Sequence, residues 1–147
     1  MKTSELTGLA LTWVLLRLEH PDEYFCVIFN EGKKEIWADN DVGTSHPTLD
    51  REGNPRFIRA FDGRWVSLFG NPVEALNWGF CGPIIEREII ELNYTNQAEW
   101  RAQCWTVVAT AYGPTPLIAA MRCYCCAKLG NEIEIPQELQ PCQPPNL

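Results

Sequence analysis

Residues 112–130 constrain this fold more than any other stretch, because they mark both ends of one helix and the strand end that feeds it. Thr115 is an N-cap residue, Pro116 stands at the first helical position and Gly130 follows as the stop. Leu117, Ala120, Met121 and Tyr124 lie on one face, with Ile118, Cys125 and Leu129 beside it. Such a broad apolar surface must be covered. The preceding run, Trp100 to Ala111, reads as a long strand with Val107 and Val108 at its centre. The junction Tyr112-Gly113-Pro114-Thr115-Pro116 then places a helix on a sheet.

The rest of the chain fits that layering. Thr7 caps a first helix in which Leu9, Ala10, Trp13, Val14 and Leu16 to Leu18 are apolar, and His20-Pro21-Asp22 stops it. Tyr24 to Phe29 reads as a strand, Asn30-Glu31-Gly32-Lys33 as a turn and Glu35 to Ala38 as its hairpin partner. Arg56 to Phe61 and Arg64 to Phe69 flank Asp62-Gly63, a two-residue hairpin signal. Asn71-Pro72 opens a short helix, Val73 to Trp78. Gly79 to Pro83 reads as a break, Ile84 to Leu92 as a long strand and Asn93 to Glu99 as a polar turn. Hairpin signals outweigh parallel crossovers. The expected class is therefore α+β: a largely antiparallel sheet covered by two main helices, sandwich-like, in a single domain over 1–135. An irregular inserted segment occupies about 24–70, and 136–147 is expected to be a flexible Pro- and Gln-rich tail.

Composition narrows the function. At 147 residues the chain can bury a core without disulfides or a structural metal. Twelve Lys and Arg against nineteen Asp and Glu give a net charge of −7, which argues against non-specific nucleic-acid binding. No run approaches the ~18 apolar residues of a membrane span. Seven cysteines without a secretory signal read as free thiols in a reducing cytoplasm.

Chemistry-bearing motifs are sparse. In Cys123-Tyr124-Cys125-Cys126 the outer two share a helix face, but no second pair at zinc spacing exists, and neither His20 nor His46 belongs to an H-x₃₋₅-H pair. The thiols read as core fillers, and neither a metal nor another cofactor is expected. No nucleophile motif or P-loop is present, so the chain is not expected to be an enzyme. Glu86 and Glu88 would share one face of the 84–92 strand, with Arg87 on the other. The Gly-Pro-Thr-Pro junction reads as a rigid helix entry, since Pro114 and Pro116 carry no N–H for an anion and Thr115 occupies one of the few that remain. Arg122, inside that helix, either snorkels to solvent or pairs with an acid such as Glu86. Of six Trp, Trp13, Trp78, Trp100 and Trp105 are expected in the core. Trp37 and Trp65, flanking the turn-rich 39–55 segment, either anchor an interface or pack beneath their hairpins.

Three blocks carry a resemblance. Ser4-Glu5-Leu6-Thr7-Gly8 with Ala10 and Trp13, then Gly82-Pro83-Ile84-Ile85-Glu86-Arg87-Glu88, then Tyr112 to Tyr124 resemble the NinX-like family of temperate tailed phages, in family order. The ending Lys128 to Pro136 fits as well, and the last helix is more loosely similar to phage αβα-sandwich proteins. The resemblance implies a small phage-encoded accessory protein and brings no established activity. The middle, about Tyr24 to Gly70, is longer and more aromatic than the family pattern implies.

Two functions follow as expectations. The first is a non-enzymatic phage protein that binds and interferes with a host protein, such as a defence factor, in the host cytoplasm. Its contact residues would be Trp37, Asp39, Asp41, His46, Arg51 and Trp65. The second is a binder of a small nucleotide ligand. Its pocket would form where the Gly79–Pro83 and Tyr112–Pro116 turns meet, from Trp78, Gly82, Glu86, Arg87, Tyr112, Thr115 and Arg122.

Overall fold

A computed structural model describes residues 1–30, 32–38, 57–59, 65–67 and 72–141. Its elements are α1 (Gly8–Glu19), β1 (Phe25–Asn30), β2 (Lys33–Ala38), β3 (Phe57–Arg59), β4 (Trp65–Ser67), α2 (Trp78–Arg87), β5 (Ile90–Tyr94), β6 (Trp100–Cys104), β7 (Ala109–Gly113) and α3 (Pro116–Leu129), with short 3-10 turns at Thr3–Glu5 and Gln137–Leu139. Every pairing between these strands is antiparallel, so the class is α+β as expected. The chain forms two compact units, Met1–Leu15 with Ala75–Leu147, and Leu16–Glu74.

The Leu16–Glu74 unit holds two hairpins. In the first, Asn30 pairs with Lys33, leaving a two-residue connection in which Gly32 takes a φ of +84°, a region that suits glycine. In the second, Arg59 pairs with Trp65. The expected Asp62-Gly63 turn between them lies outside the described residues. The unit's core takes Phe25, Cys26, Val27, Ile28, Ile36 and Trp37.

The other unit carries the three-stranded sheet β5-β6-β7. Register aligns Ile90, Cys104 and Ala109 in one row, and Leu92, Ala102 and Ala111 in the next, all on the face that α3 covers. These side chains are small where α3 comes closest. A Cβ on Gly113 would lie 2.7 Å from the Ala119 nitrogen, so the strand end and the helix touch backbone to backbone. Ala119, Ala120, Met121, Cys123, Tyr124 and Cys125 of α3 are buried. The ends of α3 are built as its sequence implies: the Thr115 hydroxyl accepts from the Ile118 N–H at 3.2 Å, and Gly130 closes the helix at a φ of +84°. The N-terminal segment adds a short rung, with the Thr3 N–H donating to the Asn131 carbonyl and Lys2 bridged to Glu132. Ile135, the last residue of the expected domain, is buried; of the expected 136–147 tail, Gln137–Leu139 forms the 3-10 turn and 142–147 lie outside the described residues.

Several sequence expectations are corrected here, the first being the short helix Val73 to Trp78: residues 72–77 are not helical, and α2 starts only at Trp78 behind its Asn77 cap. Residues 79–83 are not a break but the middle of α2, and 84–87 complete that helix instead of starting a strand. The Asn77 side chain caps it by accepting from the Phe80 N–H at 2.9 Å, and the Cys81 thiol donates to the Ala75 carbonyl at 3.1 Å. Burial of Cys81 and Ile84 outweighs the lost hydrogen bond at Pro83. The expected strand 100–111 is two strands, β6 and β7, joined by a tight turn at Trp105–Val108. Trp105 and Trp78 are exposed and Trp13 and Trp100 half-buried, so none of the four is a fully buried core residue.

Candidate functional site

The expected partner-binding residues divide sharply. Trp37 is 6% exposed, and its indole N–H donates to Glu35 Oε2 at 2.7 Å, so of the two readings for this ring the packed one holds. A ring already buried in its own hairpin offers no area to a partner. Asp39, Asp41, His46 and Arg51 lie outside the described residues, and Trp65 is described only as a backbone position in β4.

The expected ligand pocket does not assemble from two turns, because one of them is helix α2. Arg87, at the end of α2, donates from Nε to Glu88 at 3.0 Å and from Nη2 to the Tyr124 hydroxyl at 3.3 Å. Lys128 closes the other side of Glu88 at 3.2 Å, and both cations lie near 6 Å from the Tyr124 ring, at 5.9 and 5.8 Å. This cluster clasps the end of α2 to the later half of α3. Thr115 caps the opposite end, nine residues from Tyr124, or about 14 Å along a helix axis. Glu86 is exposed in the last turn of α2, so Glu86 and Glu88 do not form a carboxylate pair on a strand. Trp78 and Gly82 lie in α2. Arg122 neither snorkels nor pairs with Glu86. Its Nε donates to the Leu6 carbonyl at 2.7 Å and its Nη1 to the Tyr112 carbonyl at 2.8 Å, fastening the N-terminal segment and β7 to α3. Partial burial lowers its pKa, opposed by the charge of Glu5.

The structure instead draws attention to the other face of the β5-β6-β7 sheet. Because side chains alternate along a strand, this face carries Glu91, Gln103 and Thr110 in one row and Asn93, Arg101 and Tyr112 in the next. At one end of the sheet stands the Trp105–Val108 turn. Turn tips are usually polar, yet Val108 is 91% exposed, Trp105 59% and Val107 half exposed. The indole is not loose. Its N–H donates to Glu91 Oε2 at 2.9 Å, while Asn93 Nδ2 donates to Oε1 of the same carboxylate at 2.6 Å. These two bonds, with Arg101 nearby, hold the Glu91 pKa below its ordinary value. At the other end, the Thr95–Glu99 turn is drawn tight by the Thr95 N–H and hydroxyl, both donating to the Glu99 carbonyl at 2.8 and 2.9 Å. This turn, with Asn93, Arg101 and Tyr112, lines an open concavity of about 460 Å³.

Sequence reasoning passed over Trp105, Val107, Val108, Arg101 and Asn93. The strand propensity of Trp, Thr and Val hid the turn. One signal was available: twelve consecutive strand residues exceed the usual upper length of about ten, so a break was due within 100–111. Among the described residues there is no group of three or more His, Cys, Asp or Glu able to hold a metal, and six cysteines are free. No described helix is long and apolar enough to cross a membrane.

Residues 2–128 match the family described as Bacteriophage P22, NinX, and the chain belongs to that phage family. The comparison with curated proteins finds no match.

Proposed function

We propose that this NinX family member is a non-enzymatic phage accessory protein that binds a host protein and interferes with it in the host cytoplasm, using the Trp105–Val108 turn as its contact. The observation that carries the reading is the exposed apolar turn with a pinned indole. Exposing Trp105, Val107 and Val108 together is costly in water unless a partner covers them. Trp is the commonest anchor of protein interfaces, and an indole already oriented by Glu91 loses little freedom on binding. The net charge of −7 adds long-range attraction toward a basic partner. The proposed contact is thus the Trp105–Val108 turn of the three-stranded sheet and not the Trp37–Trp65 segment, where Trp37 is buried.

The test is site-specific photocrosslinking in host lysate, with the crosslinking side chain at position 108 and, as a control, at exposed position 33. The expected result is a defined protein adduct from 108 and none from 33. Excess unlabelled wild-type chain should suppress it, and excess Val108→Asp chain should not. Equal adducts from both positions, or equal competition by both chains, would overturn the proposal.

A further inference from the structure

The concavity beside the Thr95–Glu99 turn has a composition that the docking turn does not explain. Its central residue is Arg101, half-buried in the sheet face. The guanidinium makes no hydrogen bond and no ion pair among the described residues, although Glu91 is close enough for its carboxylate to feel the charge. Arg87 and Arg122, by contrast, have donors engaged: Arg87 by Glu88 and Tyr124, Arg122 by two backbone carbonyls. Five N–H donors in a planar fork, partly withdrawn from water and unspent, form a receptor for a tetrahedral or planar oxyanion.

The neighbours extend the site beyond one anion. Register places Asn93 directly across from Arg101 on one side and Tyr112 on the other, at the ~5 Å Cβ spacing of cross-strand pairs. Tyr112 is 46% exposed, so its ring presents a face for stacking. Asn96 and Gln97 at the rim bring two carboxamides, which both donate and accept, and Glu99 brings an acceptor for hydroxyl or amino groups. A volume of about 460 Å³ falls in the range of small-molecule sites, roughly 300–1,000 Å³.

We propose that this concavity binds a phosphorylated small molecule of the mononucleotide class, with Arg101 on the phosphate and Tyr112 against the ring. The rim carboxamides and Glu99 then meet the sugar and base edges. The site differs from the one expected from sequence: it shares Tyr112 but takes its charge from Arg101, since Arg87 and Arg122 are committed elsewhere. It lies at the opposite end of the sheet from the docking turn, the two being linked through Glu91, which accepts from both Trp105 and Asn93, and the binding assays below read it separately from the crosslinking assay.

The experiment is calorimetric titration of the full-length chain with the four ribonucleoside 5′-monophosphates, the matching nucleosides and inorganic phosphate. Wild type is compared with Arg101→Gln, Tyr112→Ala and, as a control on an exposed position of the other compact unit, Lys33→Gln. Arg101→Gln is expected to melt with wild type, because the guanidinium holds no other group. At least one monophosphate should bind saturably, about tenfold or more tighter than either its nucleoside or phosphate alone, a difference of about 1.4 kcal/mol or more. Arg101→Gln should remove that advantage while leaving nucleoside affinity unchanged, Tyr112→Ala should weaken nucleotide and nucleoside together, and Lys33→Gln should change nothing. Absence of saturable monophosphate binding overturns the proposal. So does an Arg101→Gln affinity within twofold of wild type, or phosphate binding as tightly as any nucleotide.

Discussion

Replacing Arg122 with methionine should cost this protein a large part of its stability, although the residue is only partly buried. Methionine keeps the unbranched stem and its packing and removes the guanidinium. Two backbone carbonyls then lose a charged donor. The Leu6 carbonyl, at 2.7 Å, belongs to a fully buried residue, and water cannot readily replace the arginine there. A lost hydrogen bond to a charged group costs about 1.5–3 kcal/mol when the acceptor stays dry. The Tyr112 carbonyl, at 2.8 Å, lies at the surface and can turn to solvent, so its loss adds only about 0.5–1 kcal/mol. The sum is about 2–4 kcal/mol, or about 5–15 °C in Tm for a chain of this size. Arg122→Lys should recover about half, since one ammonium cannot serve both carbonyls. Denaturant titration with parallel thermal melts measures both variants. A shift under about 0.5 kcal/mol for Arg122→Met would mean that the clasp between the N-terminal segment, β7 and α3 contributes nothing, and would return Arg122 to the set of residues free to hold a ligand.

Other substitutions test the same structure elsewhere. Gly113→Ala should destabilise by about 1–3 kcal/mol, because its Cβ would sit 2.7 Å from the Ala119 nitrogen and force α3 off the sheet; the melting temperature reads this directly. Ile89→Gly should stabilise by about 0.5–1 kcal/mol in the same assay, since Ile89 holds a φ of +52° while leaving 61% of itself in solvent. Burial pushes the Cys81 and Cys123 thiols up to about 11 and Cys125 to about 12, against an ordinary value of 9.0. Each raised pKa contributes stability that is complete below pH 9 and lost as pH rises through 11–12, so denaturation midpoints should fall progressively over that window, and native-state alkylation at pH 8 should spare these three thiols.

How far the sequence carries the fold depends on whether local and tertiary forces agree. At α3 they agree: cap, N1 proline, apolar spacing and glycine stop all specify one helix, and that helix forms from Pro116 to Leu129. At the β1–β2 hairpin the turn residues and the alternating strands agree as well. At α2 they conflict. Gly79, Gly82 and Pro83 disfavour a helix locally, and only the Asn77 cap together with burial of Cys81 and Ile84 overrides them. Tertiary burial of that kind has no sequence period to read within ten residues. The Trp105–Val108 turn shows the opposite conflict, with strand-forming residues held in a turn because the register closes Cys104 on Ala109. The candidate site was the least legible for the same reason. Arg101, Asn93 and Tyr112 become neighbours only through strand register, and Arg122 leaves the candidate list only once its two carbonyl partners are located.

The most direct measurement of the account is the affinity of the crosslinked host protein, once purified, for wild type and for the Trp105→Ala, Val108→Asp double variant. Loss of an anchor of this kind is worth about 2 kcal/mol or more, so the dissociation constant should rise at least about thirtyfold. Both side chains are exposed, so the variant should still melt within about 2 °C of wild type. Binding within twofold of wild type by a variant that remains folded would contradict the account and place the contact elsewhere on the molecule.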